Sequence, residues 1–384
     1  SKVKLIVEGD KEISEAAAGQ SIELVTDETP FYAESGGQVG DSGKITAKNI
    51  EMEVLDTIKD PTGLVIHKGN VTTGDIKKGQ KVTLSVDGAK RKATELNHTA
   101  THILHAVLRE VLGEHVKQAG SLVAPDRLRF DFTHFSHVDP ETLAEIETRV
   151  NRRIRENVPT ETEEMEADAA FESGATALFE EKYGDRVRVI SLSDFSKELC
   201  GGTHTGKTGD IGLFKIVNES SIASGVRRIE AITGQGALEY VQRTSRLLDD
   251  TAHLVKEKPD ALASKIKKML GDLKALEKEV DHLKAKMASE SAEAEGEAIQ
   301  KINNTKVLIQ KVTVDNPAAL RDLADRLKEK IKSGIVVLGS ANGPKAFLIV
   351  GVTKDLTGRF HAGNVIKQIA GTVGGSGGGR PDMA

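Results

Sequence analysis

The sequence predicts an α+β multidomain chain. It reads as a small β-barrel, an α+β domain, a helical hairpin or coiled coil, and a C-terminal βαββα domain. Three observations carry that reading. The 384 residues suffice for two or three domains of roughly 150 residues each. The apolar period changes from strand-like alternation to helical spacing near Lys90. A strict heptad seam occupies Leu262 to Met287.

Residues 1–88 supply the expected barrel. Val3-Lys4-Leu5-Ile6-Val7, Ser21-Ile22-Glu23-Leu24-Val25 and Lys81-Val82-Thr83-Leu84-Ser85-Val86 nearly alternate and are separated by Gly and Asp turns. Many short strands with frequent turns favour a small antiparallel barrel. Residues 89–236 read as the α+β domain. Leu96, Ala100, Ile103, Leu104, Val107, Leu108 and Val111 share a helical face that stops at Gly113. A second helix follows Asp139-Pro140 through Leu143, Ile146, Val150 and Ile154 and ends before Pro159. Strand-like runs at Leu128 to Phe132, Val187 to Leu192 and Gly212 to Val217 alternate with these helices.

Residues 237–300 are expected to be helical. Leu262, Ile266, Met269, Leu273, Leu276, Val280, Leu283 and Met287 follow a 4-3 spacing, with Pro259 suited to the first turn. The seam is expected to be buried, against either the preceding helix (Leu238 to Val255) or another chain as a homodimer. Ser289 to Gly296 reads as helix tail or linker. Residues 306–384 form the βαββα domain. A strand at Val307 to Val314 precedes a helix opened by Asn316-Pro317, then strands at Ile335 to Leu338 and Ala346 to Val352, a helix from His361, and a glycine-rich tail through Gly374 to Gly379 and Arg380.

Composition excludes several classes. Hydrophobic residues make up 38%, charged residues 29% and aromatic residues 3%. No run of about 18 apolar residues exists, so no membrane-spanning helix is expected. A single cysteine, Cys200, excludes a disulfide framework and makes a reducing, cytoplasmic compartment the expectation. The N-terminal SKVKLIVEGD lacks a secretory apolar stretch, and its missing initiator Met predicts a piece excised from something longer. The net charge of −5 divides unevenly: Lys306 to Ala384 carries 12 basic and 6 acidic residues, leaving −11 on the preceding 305. A basic terminal module on an acidic body suggests a polyanionic partner, with chance asymmetry as the plain alternative.

The chemistry concentrates in two short segments. In His98-Thr99-Ala100-Thr101-His102, residues i and i+4 lie on one helical face, so both imidazoles could reach one metal ion. Packing or chance is the alternative for such a pair taken alone. His105, one turn on, reads as a satisfied helix histidine. In Cys200-Gly201-Gly202-Thr203-His204 the two glycines let a loop wrap an ion closely. Three imidazoles and one thiolate are borderline-soft ligands that suit one Zn2+ per chain. Four ligands at once would make a closed, structural site, and one displaced ligand would open it for catalysis. No G-x-S-x-G elbow is present, which leaves metal- or substrate-assisted attack by water.

These two segments together resemble the editing domain of alanyl-tRNA synthetase and its free-standing relatives. Phe31-Tyr32-Ala33-Glu34-Ser35-Gly36-Gly37-Gln38 resembles the glycine-rich turn that precedes that domain. Gln118-Ala119-Gly120-Ser121-Leu122 with Arg129-Phe130-Asp131-Phe132 resembles the strand pair walling its pocket, and Gly374 to Met383 resembles the family's C-terminal domain. The amino-acid-activating core has no counterpart, and no nucleotide site is expected, because the glycine-rich tail follows a helix rather than a strand.

The resemblance implies a zinc-dependent hydrolysis of seryl- and glycyl-tRNA(Ala), with Cys200 as a ligand essential to catalysis. An apolar alanine pocket cannot strongly reject a smaller residue or one that adds a hydroxyl, so a second, hydrolytic site is needed. Thr101 and Gln118 are the candidates to pair with the serine hydroxyl, although Thr101 could simply bond its i−4 carbonyl. Arg127, Arg129, Arg227 and Arg228 are candidates for acceptor-end phosphates, and Arg380 beside the Gly374 to Gly379 run for another. Solvated arginines and a frayed terminus are the plain alternatives. A free-standing deacylase with the same C-terminal extension, and a zinc-stabilised tRNA-binding scaffold without turnover, are the rival readings.

Overall fold

A computed structural model describes residues 1–176, 185–294, 299–314, 317–342 and 345–384, excluding the side chains at 285, 288–294, 342 and 345. The chain divides into two compact units, Ser1–Leu248 and Asp249–Ala384. Asn316, and residues 295–296 of the expected tail or linker, lie outside the described residues.

The first unit opens with a seven-stranded antiparallel sheet. Its order is Lys11–Glu12, Val3–Glu8, Ser21–Thr26, Val65–Thr73, Ile50–Lys59, Gly43–Ala47 and Thr83–Val86. Alternate residues such as Ile6, Leu24, Ile45 and Met52 point inward and are fully buried. The expected closed barrel does not form. Among the described residues, a Lys2–Lys81 bridge, reciprocal Ser1–Val82 hydrogen bonds and two bonds of Val3, to the Gln80 carbonyl and from the Gly79 N–H, join the two ends, and no ladder links Val3–Glu8 to Thr83–Val86. Thr83–Val86 is four residues long before Asp87 caps the next helix, which leaves no length for a closing ladder.

Helix α1, Gly88–Leu112, starts where the Asp87 carboxylate accepts the Ala89 and Lys90 N–H groups and stops at Gly113, whose φ is 114°. Helix α2, Pro140–Arg155, has Asp139 as its N-cap and Pro140 in the first turn. Both helices contribute to a core with the four-stranded sheet ordered Gln118–Val123, Leu128–Thr133, Val226–Thr233 and Phe214–Ala223. Phe130, Phe132, Ile229 and Ala231 face that core from the sheet, and Ile103, Leu104, Val107 and Leu108 face it from α1. A three-stranded sheet, Thr160–Glu166, Arg186–Leu192 and Ser196–Leu199, carries the chain to Cys200, with the short α3, Ala167–Glu172, beside it. Helix α4, Gly234–Leu254, follows.

In the second unit, a short 3-10 turn, Pro259–Ala261, precedes α5, Leu262–Ala294, so Pro259 sits just before the helix rather than inside it. A four-stranded sheet, ordered Ile299–Ile302, Thr305–Lys311, Ile335–Asn342 and Lys345–Val352, packs against α6, Pro317–Ile331, and α7, Ala362–Ala370. The middle pair is parallel and the outer pairs antiparallel. Ile299–Ile302 is a strand beyond the expected βαββα unit. The glycine-rich tail is tied down rather than frayed. Ala384 exchanges hydrogen bonds with Val350, and Val352 and Ala362 donate to the Asp382 and Pro381 carbonyls. Gly363 permits this, because a Cβ there would approach the Gly379 carbonyl oxygen to 2.6 Å.

The heptad seam is not buried as expected. Leu262 is buried, but Ile266, Met269, Leu273, Leu276, Val280, Leu283 and Met287 are 39–67% exposed. Knobs-into-holes packing requires a facing helix, and among the described residues none covers the seam beyond Leu262. Of the two covers expected from the sequence, a second chain is the one that sedimentation tests. Sedimentation should then show a dimer, and Leu273→Glu should convert it to monomer; a dimer that survives the substitution would exclude the seam from the interface.

Candidate metal centre

The centre is assembled by α1 and the loop after Ser196–Leu199. The helical repeat sets His98 and His102 on one face with ring centroids 5.2 Å apart. The loop brings Cys200 Sγ to 3.4 Å from His98 Nε2 and 3.4 Å from His204 Nε2. The ligand atoms of His98, His102, Cys200 and His204 all lie within 4.8 Å of one another. Tetrahedral sulfur and nitrogen ligands on one zinc stand ~3.5 Å apart, from bond lengths of about 2.3 and 2.0–2.1 Å. His102 Nε2 is buried without a hydrogen-bond partner, the situation of an atom whose lone pair has a metal to meet. Gly202 is required by the close approach, because a Cβ there would run into the His98 ring; Gly201 is unconstrained in this way. The donor set fits zinc.

The electrostatics favour the ligating form at Cys200 and His204, whereas His102 has a proton to lose. Burial opposes ionisation of Cys200, but His98 and His102 beside it hold the thiol well below its usual range, so the thiolate is favoured. Burial and neighbouring His98 push His204 down to about 3, which keeps that ring neutral and able to bind. At His102 burial opposes protonation, yet Glu198 and Cys200 outweigh it and raise the group to about 10. Glu198, itself buried, is held down to about 2, chiefly by His102. Burial and the Cys200 sulfur raise the Tyr32 phenol to about 12.

Several outer residues escaped the sequence reading. Glu198 bridges His102 Nδ1 and His105 Nδ1, the latter at 2.7 Å, but His105 Nε2 is buried without a partner, so the expected satisfied helix histidine is satisfied on one nitrogen only. Thr99 Oγ1 lies 3.3 Å from His204 Nδ1 and accepts the Thr205 N–H. Arg188 donates to the Cys200 and Gly202 carbonyls and so holds the loop from outside. The available signal was local for Glu198, an acid two residues before the only cysteine. None existed for Arg188, which depends on strand pairing.

The other candidates are distributed more widely. The Thr101 hydroxyl donates to the Asn97 carbonyl at 2.8 Å, the plain alternative for that residue, and only its lone pairs remain. Gln118 opens the strand Gln118–Val123, and its Nε2 is buried without a partner. Arg127 pairs with Asp126 at 2.9 Å and lies 3.8 Å from Glu230; Arg228 makes two bonds to Asp131, at 2.7 and 2.8 Å. Arg129 is 3.7 Å from Asp131. Strand alternation puts Arg129, Asp131, Arg228 and Glu230 on one face, whereas Arg227 turns to the other and binds buried Glu219. The four arginines therefore do not form one patch. Arg380, in the second unit, is 81% exposed and 3.9 Å from Asp382.

Three segments match known families. Residues 1–90 match tRNA synthetases class II (A), 187–230 match the threonyl and alanyl tRNA synthetase second additional domain, and 304–384 match the DHHA1 domain. The alanine–tRNA ligase of Desulfosudis oleivorans is 58% identical over 383 residues, and that of Shewanella amazonensis is 49% identical over 385 residues. Each alignment covers 100% of this chain and 44% of the relative. The chain thus spans less than half the length of these curated relatives. The crystal structure of the C-Ala domain from Aquifex aeolicus alanyl-tRNA synthetase is similar over 22% of this chain and 77% of its own, at 28% identity and a TM-score of 0.22. The motifs, the whole-length identity and the three matched segments lead to one conclusion: this chain belongs to the alanyl-tRNA synthetase family.

Proposed function

We propose that the chain is the proofreading part of an alanine–tRNA ligase, hydrolysing the ester of seryl- and glycyl-tRNA(Ala) in the cytoplasm. The observation that carries this is the convergence of His98, His102, Cys200 and His204 within 4.8 Å, with the His102 Nε2 lone pair unpartnered. Zinc held by these four residues would supply Lewis acidity at the ester. The protein's own groups do the rest. Glu198 holds His102 through Nδ1, which leaves Nε2 for the ion. Gln118 Nε2 offers a donor to the serine hydroxyl, and Thr101, its hydrogen committed to Asn97, offers only an acceptor. A site that pairs with a hydroxyl rejects alanine because its polar group would be left unpaired. The tRNA backbone is assigned to exposed Arg127, to half-buried Arg129 on the sheet, and to Arg380 with the basic second unit. A zinc-stabilised tRNA-binding scaffold is the second reading, favoured by the four-ligand set, since closed four-coordinate sites are ordinarily structural.

Zinc analysis combined with a seryl-tRNA deacylation assay separates the two. Turnover lost on chelation without unfolding supports the hydrolase, and bound metal without turnover supports the scaffold. Cys200→Ala should lower deacylation at least ~100-fold, because misplacing the ion by about 1 Å has that effect. Its tRNA affinity should not change, since phosphate contacts lie elsewhere. An active Cys200→Ala protein would refute the site.

Metal binding must expel the proton that Glu198 and Cys200, against burial, hold on His102 up to about 10. Zinc affinity should therefore rise about tenfold per pH unit between about pH 7 and pH 9. Competition with a chromogenic chelator across that range checks this, and a flat profile would contradict it. Deleting Lys306 to Ala384 removes a net +6. The shortened chain should keep its zinc, bind tRNA more weakly and show a shallower salt dependence; identical salt titrations would remove the tRNA role of that domain.

A further inference from the structure

We infer that Gln38, on the loop between Ser21–Thr26 and Gly43–Ala47 of the N-terminal sheet, is a positioning residue of the metal centre. Its amide selects the tautomer of His98 and sets the approach of the Cys200–His204 loop. Gln38 is fully buried. Its Oε1 accepts from His98 Nδ1 at 2.7 Å and from the Thr203 N–H at 2.9 Å, and its Nε2 donates to Thr203 Oγ1 at 2.9 Å. One side chain thus touches both ligand-bearing segments, 60 residues from His98 and 165 from Thr203 in sequence.

The chemistry follows from the acceptor. A carbonyl oxygen cannot donate, so His98 carries its hydrogen on Nδ1, and its Nε2 lone pair faces Cys200 Sγ at 3.4 Å. Without that acceptor the imidazole is free to take the other tautomer, which protonates the ligating nitrogen. The same oxygen holds the loop by the backbone of Thr203, the residue before His204.

The loop that presents Gln38 is itself anchored by contacts that never touch a ligand. Ser35 and Gln38 close a turn, Val123 N–H donates to the Gly37 carbonyl, and Val39 N–H donates to the Val123 carbonyl. Gly37 has φ +84° and lies against the Ser121 carbonyl, where a side chain would not fit. Arg91 of α1 clasps Asp41 through Nε, at 2.8 and 2.9 Å, and bonds the Pro30 carbonyl through Nη2. Docking of the loop and contact with the ligand are therefore separable by mutation.

The experiment measures zinc affinity by chelator competition and the visible spectrum of the cobalt-substituted protein, using the full chain. Gln38→Leu, similar in size but without hydrogen bonds, should weaken zinc about 10–100-fold and alter the cobalt bands, the usual effect of losing an outer partner of a ligand. Gln38→Glu keeps the acceptor for His98 and should bind zinc more tightly than Gln38→Leu. Arg91→Met loosens the same loop and should lower thermal stability while leaving zinc affinity and the cobalt spectrum unchanged. An unaltered affinity and spectrum in Gln38→Leu, or an equal loss in Arg91→Met, would overturn the inference. If Gln38→Leu does not fold, nitrogen-resolved imidazole NMR of the zinc-loaded wild type decides. His98 should be protonated at Nδ1, and protonation at Nε2 or metal at Nδ1 would overturn it. The inference rests on the proposed metal centre: a wild type that binds no zinc removes that reading, whereas tight wild-type binding indifferent to Gln38 removes only this one.

Discussion

The first unit depends on one constraint: four polar side chains from two distant segments must meet in a buried volume. Polar groups without partners are costly there, so each ring nitrogen turned away from the centre needs a neighbour. His98 has Gln38, His102 has Glu198, and His204 has Thr99. These three partners come from three different elements: the N-terminal sheet, the strand Ser196–Leu199, and α1 itself. The centre therefore acts as the joint that holds those elements in register. The apolar side of α1, with Ile103, Leu104 and Val107 against the four-stranded sheet, provides the rigid floor on which the joint is built.

The charge distribution around that joint is asymmetric in a useful way. Glu198 is the buried carboxylate bridging His102 and His105, and it offsets positive charge that would otherwise accumulate in a cluster of imidazoles. Cys200 contributes the second negative group, favoured as thiolate by the rings around it. Outside the centre the arginines of the sheet are already paired, Arg228 with Asp131 and Arg227 with Glu219. An RNA phosphate arriving there would compete with carboxylates held by the strand register. Arg380, highly exposed on the tied-down tail, faces no comparably close competitor.

The second unit solves a different problem. Its sheet has a parallel pair at its centre, which α6 connects, and α7 with the chain terminus covers the remaining apolar residues. The terminal residues pair with the edge strand Lys345–Val352 through Val350 and Val352, which blunts an otherwise open sheet edge. On α5 the seam residues from Ile266 to Met287 remain in contact with solvent, an arrangement with an energetic cost that burial against another surface would relieve.

Local rules were enough for much of this. Helical spacing alone put His98 and His102 on one face, Asp139-Pro140 marked a helix start, and Gly113 marked a stop, because each depends on residues within one turn. The glycine pair in Cys200–His204 announced a tight loop, and Gly202 is where the tightness is used. The sequence also contained the family resemblance. Long-range pairing decided the rest. Whether seven strands close into a barrel depends on the length left at the last strand, and alternation along each strand is the same in either case. Whether a heptad seam is covered depends on a facing surface, and the seam's own spacing is identical with or without one. Gln38 is the clearest instance: within its glycine-rich turn it reads as one polar residue among several, and only the docking of that turn onto α1 brings its amide to His98 and Thr203. Hydrogen bonds across 60 and 165 residues leave no period or spacing in the chain, so the tertiary structure alone decides which buried amide completes the centre.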